Sequence, residues 1–212
     1  MVSIKSIIAL HFMTSKEKNI DLKDIHLDKQ QQEDKKASLR QKIKENSTTV
    51  GVALILAFLI RVFIAEPRYI PSASMVPTLL TGDRLVVEKV SYNFHPPTRG
   101  EIVVFQPPAK LQILGYDKNQ AFIKRAIATE GETVAVKDGI VYINDRPLSE
   151  DYIAQPPAYN LQTVTVPKGN IFVMGDNRNN SNDSHVWGFL PAKNIIGRAI
   201  FRFFPLDRIG MI

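Results

Sequence analysis

Two serines separated by one small residue, Ser72 and Ser74, stand in the stretch Ile70-Pro71-Ser72-Ala73-Ser74-Met75-Val76-Pro77. A serine hydroxyl attacks a carbonyl carbon only when a base takes its proton, so the sequence has to supply that base. Of the four histidines, His11 and His26 precede a long apolar run, His95 sits in a proline loop, and only His185 lies within a polar cluster. A Ser-His-Asp arrangement would therefore rest on one histidine. Lysine is the other choice, because burial among apolar groups disfavours the ammonium and draws its pKa down from ~10.4 toward neutrality. Lys124, in Ala121-Phe122-Ile123-Lys124-Arg125-Ala126-Ile127-Ala128, has such a setting, and in a strand it faces opposite to Ile123 and Arg125. A solvated strand lysine has the same composition, and residue types alone leave both bases open. The absence of cysteine excludes a thiolate nucleophile and disulfides, and no His or carboxylate cluster has metal-ligand spacing.

The elements that must hold these residues differ sharply along the 212-residue chain. Residues 46 to 65, "NSTTVGVALILAFLIRVFIA", contain one charge, Arg61. At ~1.5 Å per residue they span about 30 Å, the thickness of a bilayer's hydrocarbon core. The run is apolar on all faces, which predicts an uncleaved transmembrane anchor rather than an amphipathic core helix. Lys35, Lys36, Arg40, Lys42 and Lys44 crowd its N-terminal flank, whereas Arg68 alone lies close on the other side, so the N-terminus is expected in the cytoplasm. Residues 1 to 45 read as a charged, solvated tail, in which "SIIALHFM" is too short to span. The formal charge is +6, but the excess is +3 before residue 48, zero in 48 to 66 and +3 after. That even spread offers no basic stripe, and nucleic acid is excluded as the expected partner.

Residues 66 to 212 read as one extracytoplasmic domain of mainly antiparallel β-structure. β-Branched runs at 84 to 90, 101 to 105, 121 to 128, 132 to 136, 140 to 143, 163 to 166, 171 to 174 and 195 to 204 are separated by turn residues. Lys137-Asp138-Gly139 and Asn144-Asp145 supply hairpin turns on either side of "IVYI". No sustained helical periodicity follows residue 66.

Three boxes occur in order after the apolar run: "PSASMVPTLLTGDRLVVEK" (71 to 89), "FIKRAIATEGE" (122 to 132) and "GDNRNNSNDSHVWG" (175 to 188). Together they closely resemble the boxes of the type I signal peptidases, membrane-anchored serine proteases with a Ser-Lys dyad. The closing "FRFFPLDRIG" resembles the photosynthetic branch of that family, cyanobacterial or plastid. The resemblance runs from about Arg61 to the C-terminus. It implies a signal-peptidase-like β domain, with Ser74 as nucleophile and Lys124 as general base. By the same match Ser72 joins the backbone N–H of Ser74 in an oxyanion hole, Ser181 hydrogen-bonds and orients Lys124, Asp176 pairs with Arg125, and Asp183 belongs to the same polar network. Ile70, Met75, Leu79, Leu85, Phe122 and Ile123 are implied walls of shallow pockets that admit alanine. His185 stands where many members have arginine, Asn179 where aspartate is frequent, and "ATEGE" replaces a Gly-x-Pro-Gly-Asp.

The implied reaction is removal of N-terminal signal peptides from exported preproteins after a small-x-small (Ala-x-Ala) site, with no cofactor and no metal. The implied partners are preprotein signal peptides, the lipid bilayer and export machinery, at the plasma (inner) membrane or the thylakoid membrane, with the catalytic domain on the outer or lumenal face. A self-cleaving repressor with the same dyad is disfavoured by the anchor and the lack of a DNA-binding helix pair. A catalytically silent anchored adaptor is disfavoured by the intact Ser72, Ser74 and Lys124.

Overall fold

The structure is a computed structural model that describes residues 35–212 other than 37 and 45. The "SIIALHFM" stretch, His11, His26 and most of the expected tail lie outside the described residues. The chain divides into two compact units, Met1–Ala57 and Phe58–Ile212.

Helix α1 runs Ser38–Ile64, 27 residues, and is long and apolar enough to cross a membrane. It starts earlier than the apolar run, so Arg40, Lys42 and Lys44 occupy its first turns, and it stops one residue sooner. Its apolar side chains are uncovered: Leu54, Phe58 and Phe63 are about two-thirds exposed (67%, 64% and 66%). The last turn, Ile60–Ile64, widens to π-helical spacing, and the Ala65 amide donates to the Ile60 carbonyl. Pro67 then prevents continuation, because it lacks an amide proton and drives Glu66 toward extended backbone.

In the unit Phe58–Ile212 the chain enters a large antiparallel sheet at once. Its strands are β1 (Ala65–Tyr69), β2 (Arg84–Glu88), β3 (Ile102–Phe105), β4 (Phe122–Ala128), β9 (Asn170–Met174), β10 (Leu190–Pro191), β11 (Ile195–Phe204) and β12 (Gly210–Met211). The order is β1-β2-β11-β3-β4-β9-β10, with β12 added to β11. Pro67 is tolerated because β1 lies at the sheet edge, where a missing donor breaks no second ladder. A smaller sheet, ordered β7-β6-β5-β8, comprises β5 (Thr133–Lys137), β6 (Ile140–Ile143), β7 (Arg146–Pro147) and β8 (Leu161–Thr165). Its two hairpins turn at Asp138-Gly139 and Asn144-Asp145, all four residues at positive φ, as two-residue turns of the I′ type require.

Alternation sorts the core. On β3, Ile102 and Val104 join one apolar cluster with Ile70, Met75, Leu79, Leu85, Val87, Ile123 and Ala199, while Val103 and Phe105 join another with Leu111, Ala126, Ile171, Val173, Trp187 and Leu190. β9 repeats the pattern: Ile171 and Val173 point to that second cluster, whereas Phe172 and Met174 meet Val134, Val136, Val141 and Ile143 of the smaller sheet. The central strand β4 contributes to all three clusters. A lysine in its middle is therefore surrounded by packed side chains whichever way it points.

Candidate active site

The Ser74 loop, residues 70–83, joins β1 to β2. Its ends are tied by Ile70 N–H to the Asp83 carbonyl (2.9 Å) and Gly82 N–H to the Ile70 carbonyl (2.9 Å), and its apolar residues Ile70, Met75 and Leu79 insert into the first core cluster. Between these anchors Ser74 is 8% exposed, with Oγ 2.7 Å from Lys124 Nζ and 3.3 Å from the hydroxyl of the exposed Ser72. The loop backbone is gripped from the other side, where Asn177 N–H donates to the Ser74 carbonyl (3.1 Å) and Asn177 Nδ2 to the Ala73 carbonyl (3.1 Å).

Lys124 sits in β4, opposite Val103 of β3, and is 4% exposed. Burial strips water from its ammonium and lowers its pKa to about 8, against the smaller opposing pull of the Asp183 and Asp176 charges. At pH 7 roughly a tenth of such a lysine is neutral. The neutral fraction, with its amine 2.7 Å from the hydroxyl, can accept the serine proton.

The next residue does the opposite. Arg125 makes a bidentate pair with Asp176, Nε to Oδ1 at 2.8 Å and Nη2 to Oδ2 at 2.6 Å, and donates through Nη1 to the Gly100 carbonyl (2.8 Å). The Tyr152 ring covers its guanidinium at 4.0 Å. Asp176 is completely buried and also accepts from the Thr78 hydroxyl at 2.5 Å.

Asp183 forms a separate cluster. One oxygen accepts from Gly175 N–H (2.8 Å); the other caps the short helix α3 (Ser184–Trp187) through His185 N–H (3.1 Å) and lies 2.7 Å from His185 Nδ1. The helix α2 (Ala109–Ile113) is also short, at five residues. The His185 ring stacks on Tyr159 at 4.0 Å. His185 is thereby held in a pair that does not include Ser74, whose hydroxyl meets the side chains of Lys124 and Ser72 among the described residues. His95 is bonded to the Pro96 carbonyl. No group of His, Asp and Glu among the described residues could hold a metal ion.

Several known proteins are similar to this chain. Residues 43–204 match the model of "Signal peptidase, peptidase S26". The probable signal peptidase I-1 of Synechocystis sp. is 66% identical over 172 residues, covering 81% of this chain and 88% of the relative. Signal peptidase I of Leptolyngbya laminosa is 53% identical over 168 residues, 79% of this chain and 83% of the relative. Thylakoidal processing peptidase 1 of Arabidopsis thaliana chloroplasts is 46% identical over 169 residues, 78% of this chain and 50% of that longer protein. The chain belongs to the signal peptidase family, peptidase S26. It is a peptidase, and the cyanobacterial and plastid character of its relatives agrees with the resemblance of "FRFFPLDRIG".

Within this peptidase one implied contact needs correction. Ser181 Oγ is buried without a hydrogen-bond partner among the described residues, so the bond to Lys124 is not formed. The hydroxyl instead fills the space above Gly175, where a Cβ would collide with it and with the Ser74 carbonyl; glycine is needed for that close approach. Asp183 bonds to Gly175 N–H, the covalent neighbour of Asp176, and to His185. Of the implied wall residues, Met75, Leu79 and Leu85 expose no surface and pack in the first core cluster. Phe122 lies apart from them, stacked on Phe105 at 6.0 Å and edge-on to Tyr116 at 5.3 Å, because period-two alternation sends neighbouring residues of β4 to opposite faces.

Residues without an assigned role in the sequence also converge here. Arg178, unexposed, pairs bidentately with Glu150 (2.8 and 2.5 Å), and Asn179 binds the backbone at Pro156 and Ala158. Together with Tyr152 and Tyr159 these contacts strap residues 148–160 across the third box. Asn177 and Thr78 lie inside quoted boxes, where a polar side chain beside the nucleophile's loop was the available signal. The Arg178–Glu150 pair has none, since no spacing in the chain announces it.

Proposed function

We propose that this peptidase is a membrane-anchored serine endopeptidase in which Ser74 attacks the scissile carbonyl and Lys124 is the general base, removing N-terminal signal peptides from preproteins after a small-x-small site. The observation that carries this reading is the 2.7 Å contact between a buried lysine amine and a buried serine hydroxyl. In the first step Ser74 Oγ bonds to the carbonyl carbon while its proton passes to Lys124 Nζ. The negative charge on the carbonyl oxygen is met by the Ser74 backbone N–H and the Ser72 hydroxyl, which is already beside the nucleophile. Collapse breaks the C–N bond, and Lys124 returns its proton to the departing amine of the mature protein. Water then hydrolyses the ester on Ser74, with Lys124 again taking a proton. Because Arg125 is paired with Asp176, the base beside it is free to lose its charge without upsetting the carboxylate.

α1 supplies the anchor. Exposed apolar side chains cost about 25 cal/mol per Å² in water, and 27 residues of such a helix favour a bilayer. The basic flank around Arg40, Lys42 and Lys44 favours a cytoplasmic N-terminus and supports a catalytic domain on the outer or lumenal face of a plasma or thylakoid membrane. The signal peptide's apolar segment would share that bilayer, and tethering raises the effective concentration of its cut site. β9 ends at Met174, opposite Arg125, so Phe122–Lys124 have β3 on one flank and no β9 residue on the other. An extended cleavage segment fits that open edge by strand addition, and export machinery is the expected source of the substrate. The test is cleavage of a preprotein with an Ala-x-Ala site by the full chain in detergent. The parent is expected to cut after the second alanine and Ser74→Ala to lose at least about 10³-fold in rate; near-parental cleavage by Ser74→Ala would overturn the assignment.

A further inference from the structure

Thr78 lies four residues beyond Ser74 and is half-buried. Its hydroxyl donates to Asp176 Oδ2 at 2.5 Å and accepts from Arg125 Nη2 at 3.3 Å. Its backbone carbonyl accepts from Arg202 Nη1 at 2.9 Å and Arg208 Nη2 at 3.3 Å. The same two arginines reach the buried Asp83 at the far end of the loop, Arg208 Nη1 at 2.8 and 3.0 Å and Arg202 Nη1 at 3.5 Å. Asp83 in turn accepts from Leu80 N–H at 2.9 Å. One residue therefore ties the nucleophile's loop to β4, to the chain after β9, and to β11 and the turn that follows it.

Both proposed reactants hang on that tie. Arg125 is the covalent neighbour of Lys124. Asp176 is the covalent neighbour of Asn177, which grips the Ala73 and Ser74 carbonyls. The loop is also held by apolar packing, by backbone bonds at its ends, by a bridge between Pro77 and Ile153 and by the Asn177 grip, but Thr78 is the loop residue whose side chain bonds to the Arg125–Asp176 pair among the described residues. Resting on the Ser-Lys reading above, we infer that Thr78 is a positioning residue whose hydroxyl sets the separation of Ser74 Oγ and Lys124 Nζ. A misplacement of ~1 Å between reacting groups costs about 100-fold in rate, so loss of the hydroxyl acts on the chemical step and leaves substrate binding alone.

The experiment compares Thr78→Val, which keeps the shape and removes the hydroxyl, with Thr78→Ser, which keeps the hydroxyl, in the full chain in detergent. Single-turnover rate, KM and thermal midpoint are measured for each. Thr78→Val is expected to lower the rate about 10- to 100-fold at unchanged KM, and Thr78→Ser to stay within about threefold of the parent. The apparent pKa of the rate profile is expected to be the same in all three. Arg208→Gln loosens the same tie at its carbonyl end and is expected to lower the rate about three- to tenfold, again at unchanged KM, which keeps the test open should Thr78→Val not fold. A parental rate in folded Thr78→Val or in Arg208→Gln overturns the inference, as does an equal loss in the Val and Ser variants. Failure of the dyad itself would show differently, as activity remaining in Ser74→Ala.

Discussion

Lys124 and Arg125 are adjacent cations on one strand, and the structure treats them in opposite ways. Lys124 is surrounded by core and meets a neutral hydroxyl, with no carboxylate within ion-pair distance among the described residues, so its charge is disfavoured. Arg125 meets a buried carboxylate edge to edge, a carbonyl and an aromatic face. A single strand thus carries one cation prepared to discharge and one kept charged as structure. The difference lies in side-chain chemistry as much as in surroundings: an ammonium deprotonates readily when buried, whereas a guanidinium does not and demands a planar partner.

Exchanging the two properties should have the largest effect. Lys124→Arg places a group that cannot accept a proton next to Ser74, and preprotein cleavage is expected to fall at least about 10³-fold. Activity within tenfold of the parent would mean that another residue is the base. Disrupting the neighbouring pair is milder. Asp176→Asn leaves Arg125 without its countercharge and leaves one acceptor oxygen for Arg125 and Thr78 to share; breaking a buried pair of this kind costs about 3 kcal/mol. Denaturant unfolding should register that loss, accompanied by reduced cleavage, and an unchanged midpoint would show that the pair contributes nothing.

The smallest effect concerns stability and has a definite sign. Lys124 has a native pKa of about 8 against an ordinary value of 10.5. Below pH 8 it is protonated in both native and unfolded chains, and the cost of burying the charge is present in full. From pH 8 to 10.5 the unfolded chain holds a proton that the native chain has released, so stability rises with pH. Lys124→Met, of similar volume without the charge, should therefore raise Tm at pH 7, on the order of 5 °C. That advantage should shrink by pH 10. A difference between the variants that is equal at the two pH values would contradict the burial of a charge at this position.

Much of the fold was legible because β-strands declare themselves by period and punctuation. "IVYI" and "IIGRAIFRFF" become β6 and β11 with the expected bounds, and Asp138-Gly139 turns as its residue types require. Strand β1 was not legible: Ala65-Glu66-Pro67-Arg68-Tyr69 has little β-forming composition and is recruited by pairing with β2. The helices α2 and α3 are too short to show a period. At the site, the Ser74–Lys124 and Arg125–Asp176 pairs were anticipated through family resemblance, since composition could not distinguish Lys124 from a solvated strand lysine. The Thr78–Asp176 contact was not legible because the two are 98 residues apart, on loops that only the tertiary fold brings together. Phe122 and Ile123, both implied wall residues, face opposite sides of β4, as alternation requires.

The central claim is that a neutral Lys124 takes the proton of Ser74. Its most direct test is the pH dependence of single-turnover preprotein cleavage by the full chain. The rate should rise about tenfold per pH unit on the acid side and level off above an apparent pKa of about 8, where the lysine is neutral, and His185→Gln should retain that rising limb. A limb near pH 6.5 that disappears in His185→Gln would make histidine the base and contradict the account.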